Sequence, residues 1–542
     1  MVDLVFRNGV VFTVDAARSW ATGVAVAGGR IVAVTRDDRQ MQDWIGPQTE
    51  VISLDGGLLL PGFQDAHIHP PTAGLGLVRC NLHESDDRAS YLHTIASYAD
   101  QHRDESWILG AGWAMDAFPG GMPTRQDLDR IVPDRPVFLV NRDGHGAWAN
   151  SRALDEAGID AATADPPDGR IEREADGTPA GTLQEGAMGL VGRVVPPDTV
   201  SDYEQGLRVA QDYLLSLGIT AWQDADVTPQ TEQAYRSMAE GGELIARVVG
   251  ALWWERSAGE DQIDELLRRR DLGPAGRFRP TSVKMMLDGV AENFTASMLE
   301  PYLGKDGQTT ANRGIDFIDP DLLPRFVTRL DAEGFQVHFH AIGDRAVRNA
   351  LDAVEAARRT NGWTDSRHHI SHIQVIAPED LPRFRRLGVV ANGQPYWACY
   401  EGYQTELTIP FFGSERAARQ YPFRSLLRHG STLAFGSDWS VSTPNPLLEI
   451  ETAVRRVSPG NRLERPFFPE ERVSLSDAVA AFTAGSAFVN HLDRETGSIE
   501  VGKSADLVVL DRNIFDPEAG PIGDARVDLT IIDGETVYER GN

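Results

Sequence analysis

Cysteine is nearly missing from this chain: Cys80 and Cys399 are the only two among 542 residues. Neither has a partnering motif. That excludes a disulfide framework, leaves both thiols expected to be unreactive, and points to a reducing, cytoplasmic compartment. Long apolar runs are missing too. No stretch approaches the roughly 18 uninterrupted apolar residues of a membrane-spanning helix. The start, Met1-Val2-Asp3-Leu4-Val5-Phe6-Arg7-Asn8-Gly9, has neither the basic region nor the apolar core of a secretion signal. Positive charge is scarce: 52 Lys and Arg against 80 Asp and Glu leave a net charge of −28. That balance argues against nucleic acid and membrane as partners. No internal repeat and no long low-complexity segment occurs. The sequon Asn293-Phe294-Thr295 is expected to stay unmodified in such a compartment.

What is present is ordinary for a soluble globular protein: 41% hydrophobic and 24% charged residues. The length allows one large core and a smaller second unit. Residues 2–7, 10–14, 23–27, 30–35 and 50–54 read as short strands, broken by Asn8-Gly9 and Gly28-Gly29, which are hairpin signals. Residues 506–510, 529–532 and 536–538 look the same around Asp533-Gly534. The two ends are therefore expected to build one small β-sandwich, from residues 1–57 and 496–542.

Between them strands and helices alternate. A run ending at His67 and His69 is followed by seven apolar runs, at 218–224, 247–253, 281–287, 336–340, 368–372, 389–394 and 432–436. Helical stretches such as 201–217, 321–333 and 345–359 separate most of them. Eight such strands predict an α/β fold, a (β/α)8 TIM-like barrel over residues 58–74 and 200–495. Residues 75–199 form a large insert after strand one, expected as a lid over the barrel mouth, with 165–169 its most loop-like part.

The most informative residues are His67-Ile68-His69, closing the run Gly57-Leu58-Leu59-Leu60-Pro61-Gly62-Phe63-Gln64-Asp65-Ala66. Alternation sends residues i and i+2 to one side of a strand, so both imidazoles can reach one metal ion. A turn with two solvated rings is the bland alternative. Active sites of barrels lie at the C-terminal strand ends. There the fourth run carries Lys284, the fifth ends in His340, the sixth in His372 and the eighth in Asp438.

This set resembles the amidohydrolase superfamily of metal-dependent hydrolases: His-x-His after strand one, Lys on strand four, His on strands five and six, Asp on strand eight. Three segments are similar to the branch called amidohydrolase family 3, the YtcJ-like group, which includes N-substituted formamide deformylases. They are Leu60-Pro61-Gly62-Phe63-Gln64-Asp65-Ala66-His67-Ile68-His69, His340-Ala341-Ile342-Gly343-Asp344-Arg345-Ala346 and Gly497-Ser498-Ile499-Glu500-Val501-Gly502-Lys503-Ser504-Ala505-Asp506-Leu507. The resemblance spans almost the whole chain and is weakest in the insert. It implies one or two divalent ions, zinc first, on His67, His69, Lys284, His340, His372 and Asp438. In binuclear members the lysine is N6-carboxylated and bridges two metals; in a mononuclear site Lys284 would face substrate or solvent. Asp438 would be the general base, with His340 and His372 beside it; a helix N-cap is its alternative. The implied reaction is hydrolysis of a non-peptide carbon–nitrogen bond in a small molecule, an N-acyl or N-formyl amide first. An ester, lactone or cyclic amide fits the same residues. So does heterocycle deamination, though deaminases of this fold usually lack the strand-four lysine. A metal-binding protein without catalysis would have no need of Asp438. Relatives are commonly homodimers or homotetramers, but no residue here marks an interface.

Other residues carry a functional and a structural reading side by side. His145, in a Gly-rich loop, is expected to contact substrate, as in this branch. Glu185 could donate a competing carboxylate, or form a salt bridge. His338 could line the site or fill a barrel layer. Asp288 and Trp113 could face the pocket or shape loops. His368 and His369 are adjacent, so at most one faces inward. His83-Glu84 is expected on the insert surface, and His93, His102, His429 and His491 on helix faces or loops. Trp113, Trp148, Trp254, Trp397 and Trp439, near expected loop ends, suggest an aromatic or apolar substrate arm.

Overall fold

All eight apolar runs become parallel strands of one barrel in a computed structural model, which describes residues 2–85 and 87–541. We number these strands β1 (Phe63–Ile68), β2 (Ile219–Val227), β3 (Arg247–Trp253), β4 (Phe278–Met286), β5 (Gln336–Ala341), β6 (His369–His372), β7 (Val390–Gly393) and β8 (Leu433–Phe435). They pair in chain order, each parallel to the next. Strands covered on both faces need continuous apolar sequence, which is why the runs do not alternate. The ring is drawn together between β1 and β8 at the C-terminal ends. There Asp438 N–H donates to the His67 carbonyl (2.8 Å) and His69 N–H to that of Trp439 (3.1 Å).

The run before His67 serves two sheets. Leu58–Pro61, expected at the head of the barrel, pairs instead with Val10–Val11 and with Leu507–Leu510 of the terminal unit. Gly62 is the corner: a Cβ there would collide with the Thr220 side chain, so only glycine lets the chain pass from one sheet to the other. The terminal unit is a sandwich. One sheet holds Arg30–Thr35, Gly23–Ala27, Leu4–Arg7 and Glu50–Ser53; the other holds Glu535–Glu539, Val527–Ile532, Leu507–Leu510, Leu58–Pro61, Val10–Phe12 and Trp20–Ala21. Leu4, Phe6, Val24, Val26, Leu59, Leu507 and Ile531 fill the space between. Arg247, the first residue of β3, clamps this unit to the barrel floor through Asp506 (2.7 and 3.2 Å) and Asp533 (2.5 Å).

The insert is a folded unit with its own six-stranded sheet, ordered Gly169–Arg173, Pro179–Glu185, Gly146–Ala149, Val137–Asn141, Ile108–Trp113 and Cys80–Asn81. Two helices bracket it, α1 (Pro70–Val78) and α2 (Val200–Ser216). Pro70 and Pro71 suit the first turn of α1, where no N–H is required. The helices touch at Gly74 and Gly206; a Cβ on Gly74 would strike the Gly206 carbonyl oxygen. The chain therefore leaves the barrel and returns to it at adjoining points, holding the insert over the mouth. Among the described residues, no helix is long and apolar enough to cross a membrane.

Candidate functional site

His67 comes near the end of β1, and His69 stands one residue beyond it, at the head of α1. Asp438 follows β8 by three residues. Its Oδ1 lies 3.0 Å from His69 Nε2 and 3.2 Å from His67 Nε2. These three side chains offer ligand atoms within 4.8 Å of one another, the spacing a single metal ion requires. Asp65, also buried, fixes the pair of strand ends: its carboxylate accepts from His67 N–H (2.9 Å) and Ser437 N–H (3.1 Å). Burial pushes Asp65 up to about 7 despite these donors.

The other expected ligands surround this centre. Lys284 is a register partner of His338, and His338 of His369, so the three share one level of the barrel. The long lysine stem reaches past that level, and its Nζ lies 3.3 Å from His67 Nε2. His372 Nδ1 is 3.9 Å from Asp438 Oδ2 and has no hydrogen-bond partner. The His340 ring lies 4.4 Å from that of His372. Burial, reinforced by Lys284 and neighbouring imidazoles, holds His67, His340 and His372 well below the ordinary histidine value. They are therefore neutral and keep a free lone pair. Burial opposes charge on Asp438 as well, but the His69 bond and nearby His372 outweigh it and keep it ionised. Burial pushes Lys284 down to about 8. Neutral imidazoles around an ionised carboxylate are a donor set that suits a divalent metal ion.

The backbone is strained around the site. Glu185, His372, Ile373 and Asp438 adopt positive φ (52°, 74°, 42° and 55°), the left-handed region costly to residues with a Cβ. A cavity of about 1530 Å³ opens between the barrel mouth and the insert, and all six expected ligands line it.

The insert contributes a pair to the same cavity. His145 Nδ1 lies 2.9 Å from Glu185 Oε2, and Glu185 Oε1 accepts from Thr295 (2.7 Å). Burial alone would lower His145, but Glu185 outweighs it and lifts the imidazole to about 9. Glu185 is thus partnered by His145 and stands outside the three-donor set. His338 is enclosed in the barrel, with Nε2 2.7 Å from His67 Nδ1 and 2.8 Å from Ser371 Oγ.

Four placements differ from the sequence reading. Trp113 does not face the cavity: it is fully buried in the insert core against Phe118 and Trp148, and its Nε1 donates to the Leu139 carbonyl (2.9 Å). Asp288 does not line the cavity either. Its carboxylate accepts backbone N–H groups of Ser297, Ile342 and Gly343 (2.8, 3.1 and 2.9 Å), which tie down the loop after β5. His83 and Glu84, expected on the insert surface, line the cavity, and burial pushes His83 down to about 4. Trp254, Trp397 and Trp439 line it too, whereas Trp148 does not.

The structure adds Asp226, at the end of β2, and the carboxylates Glu292 and Glu401 to the cavity wall. Asp224-Ala225-Asp226 has the same i, i+2 spacing at a strand end as His67 and His69, a signal the sequence offered. Glu292 and Glu401 sit in loops without any such pattern.

The profile described as the Amidohydrolase family matches residues 50–538. The chain is 32% identical to Protein LONG AFTER FAR-RED 3 of Arabidopsis thaliana, over 99% of its own length and 92% of that protein's. It is 28% identical to N-substituted formamide deformylase of Arthrobacter pascens, over 100% and 99% of the two chains. Among solved structures, an uncharacterized metal-dependent hydrolase from Pyrococcus furiosus superposes with a TM-score of 0.71 at 27% identity, over 95% of this chain and 100% of the other.

Proposed function

This chain belongs to the amidohydrolase family, and on that premise we propose that it hydrolyses a carbon–nitrogen bond other than a peptide bond, in an N-acyl or N-formyl amide. The observation that carries the reading is Asp438, ionised and buried between His67 and His69 at the floor of a large cavity. The protein is a metal-dependent hydrolase with a His67, His69 and Asp438 site.

A divalent metal in that site, zinc by its donor chemistry, supplies a Lewis acid and makes water acidic enough to attack near neutral pH. The chain's own groups do the rest. Asp438 accepts the proton of the attacking water and returns it to the departing amine, which cannot leave as an anion. His145, kept protonated by Glu185, offers its free ring N–H to the carbonyl oxygen as negative charge builds there. His340 and His372 hold the metal side of the cavity, and His338 orients His67 from beneath through its Nδ1. Lys284, with Nζ 3.3 Å from His67, carries an N6-carboxyl group in this reading. The carbamate presents an anionic oxygen where an ammonium could not ligate a cation, and with His340 and His372 it would hold a second ion.

The name of the Arthrobacter relative makes a formamide the first substrate to try. The test is a panel of N-substituted formamides, N-acetyl amides, esters and cyclic amides, with release of free amine as the readout and chelator as the control. Chelator-sensitive amine release is expected. Turnover confined to esters, or ammonia released from a heterocycle, would replace the amide reading.

A further inference from the structure

Part of the cavity wall takes no share in that chemistry. It carries four carboxylates, Asp116, Asp143, Glu292 and Glu401, and one guanidinium, Arg142. The Arg142 Nη2 already donates to the carbonyls of His83 and Ser85 (3.3 and 3.5 Å). Asp143 accepts from the His145 N–H (2.9 Å) and the Tyr403 hydroxyl (3.3 Å). Glu292 accepts from Thr408 (3.1 Å), and the charges of Asp116, Arg142 and Glu292 act on Glu401. The four carboxylates outnumber the wall's own cation, and confinement and mutual repulsion make their charge costly to hold without a further cation.

A second observation is independent of the carboxylates. Gln404 is 2% exposed and lines the same cavity. Its Nε2 donates to the Tyr421 hydroxyl (3.3 Å), while its Oε1 has no partner. Gln404 follows Glu401 by one turn, its N–H donating to the Glu401 carbonyl (3.1 Å), and Tyr421 feels the charges of both Glu292 and Glu401. A buried acceptor without a donor is costly unless something fills the place. The rings of Tyr403 and Tyr421 add faces that attract cations.

A bare metal ion does not fit here. Among the described residues, the one group with three such ligand atoms within 4.8 Å of one another is His67, His69 and Asp438. An ammonium on an organic frame, with several N–H donors to offer to these carboxylates and to Gln404 Oε1, matches the chemistry of the wall. We propose that this wall binds an organic ammonium, the positively charged end of the substrate, so that the amides this enzyme cleaves carry a protonated amine remote from the scissile bond. The proposal rests on the cavity being the substrate chamber of the amide hydrolase described above. Burial and the neighbouring Asp143 push Glu292 up to about 7; a bound cation relieves that repulsion.

Titration calorimetry of the full-length, metal-containing protein with hexylammonium and with its neutral counterpart hexan-1-ol tests this. The ammonium is expected to bind at least about tenfold more tightly, and Glu292→Gln with Glu401→Gln to bring the two within about threefold. Glu401→Gln alone, at an exposed carboxylate, should cut the preference by at least about threefold whether or not the double variant folds. Equal binding of the two probes, or a preference that both variants retain, overturns the proposal. The result is separable from amide cleavage. An ammonium preference with no amide turned over contradicts the hydrolytic reading alone. Amide turnover with no ammonium preference contradicts this one alone.

Discussion

Replacing Asp438 by Asn and, separately, by Ala divides chemistry from backbone. The residue sits at φ 55°, where Asn is accommodated and Ala is strained by roughly 1 kcal/mol. Its Oδ1 stands 3.0 Å from His69 and 3.2 Å from His67. Asn preserves that shape but supplies neither the negative charge nor the base. Loss of a positioned base costs about 10²–10⁴ in rate, and ~3–5 kcal/mol of barrier. Asp438→Asn is therefore expected to fold as the parent does, with kcat down by at least about a hundredfold. Asp438→Ala should be equally inactive and unfold at lower urea, by an amount equivalent to about 1 kcal/mol. The assay pairs kcat and KM on the best amide with urea midpoints. Asp438→Asn turning over within about threefold of the parent would refute the role of base. An Ala variant as stable as the Asn variant would refute the backbone half.

Arg247→Met leaves Asp506 buried without its guanidinium, since that carboxylate side chain is 0% exposed; a loss of about 3–5 kcal/mol in urea unfolding is expected, and an unchanged midpoint would contradict the clamp. Gly74→Val drives a side chain into the Gly206 carbonyl between α1 and α2, and should cost roughly 1–3 kcal/mol on the same measurement. Asp331 has a pH signature. Burial opposes its charge, but bonds from His368, Ser366, Asn361 and Thr364 outweigh it and hold the carboxyl well below the usual range. A depressed folded pKa gives stability that is full above the unfolded value and is lost as pH falls through the folded one. The stability gap between parent and Asp331→Asn should therefore be flat above about pH 5 and shrink below about pH 4; a gap that widens in acid would contradict this.

Much of the architecture was legible because it rests on local pattern. Each barrel strand is a short apolar run with a helix after it, and His67, His69, Lys284, His340, His372 and Asp438 stand at or near strand ends where side chains converge without any long-range information. The terminal strands announced themselves through Gly28-Gly29 and Asp533-Gly534, which close hairpins, whereas Asn8-Gly9, expected to do the same, carries the chain from one sheet of the sandwich to the other. What escaped depends on contacts far apart in sequence. Leu58–Pro61 reads as one run with Phe63–Ile68, and only pairing with Leu507–Leu510 reveals the corner at Gly62. Trp113 and Trp148 look alike to Trp397 in a one-dimensional reading, yet two are insert core and one is cavity wall. Asp288 is a strand-end acid like Asp438, and its direction is decided by three backbone N–H groups from loops 9 to 55 residues away. Glu292 and Glu401 sit in loops and Gln404 in the short helix Tyr403–Thr408, so no spacing rule points to this wall.

Metal content per chain, by elemental mass spectrometry on protein purified without chelator or added metal, tests the centre most directly. At least about one ion per chain is expected, rising to about two where Lys284 is carboxylated, and falling when His67 and His69 are both replaced by Ala. A parent protein that holds no ion, and regains none with zinc or manganese, would contradict the assignment of His67, His69 and Asp438 as a metal site.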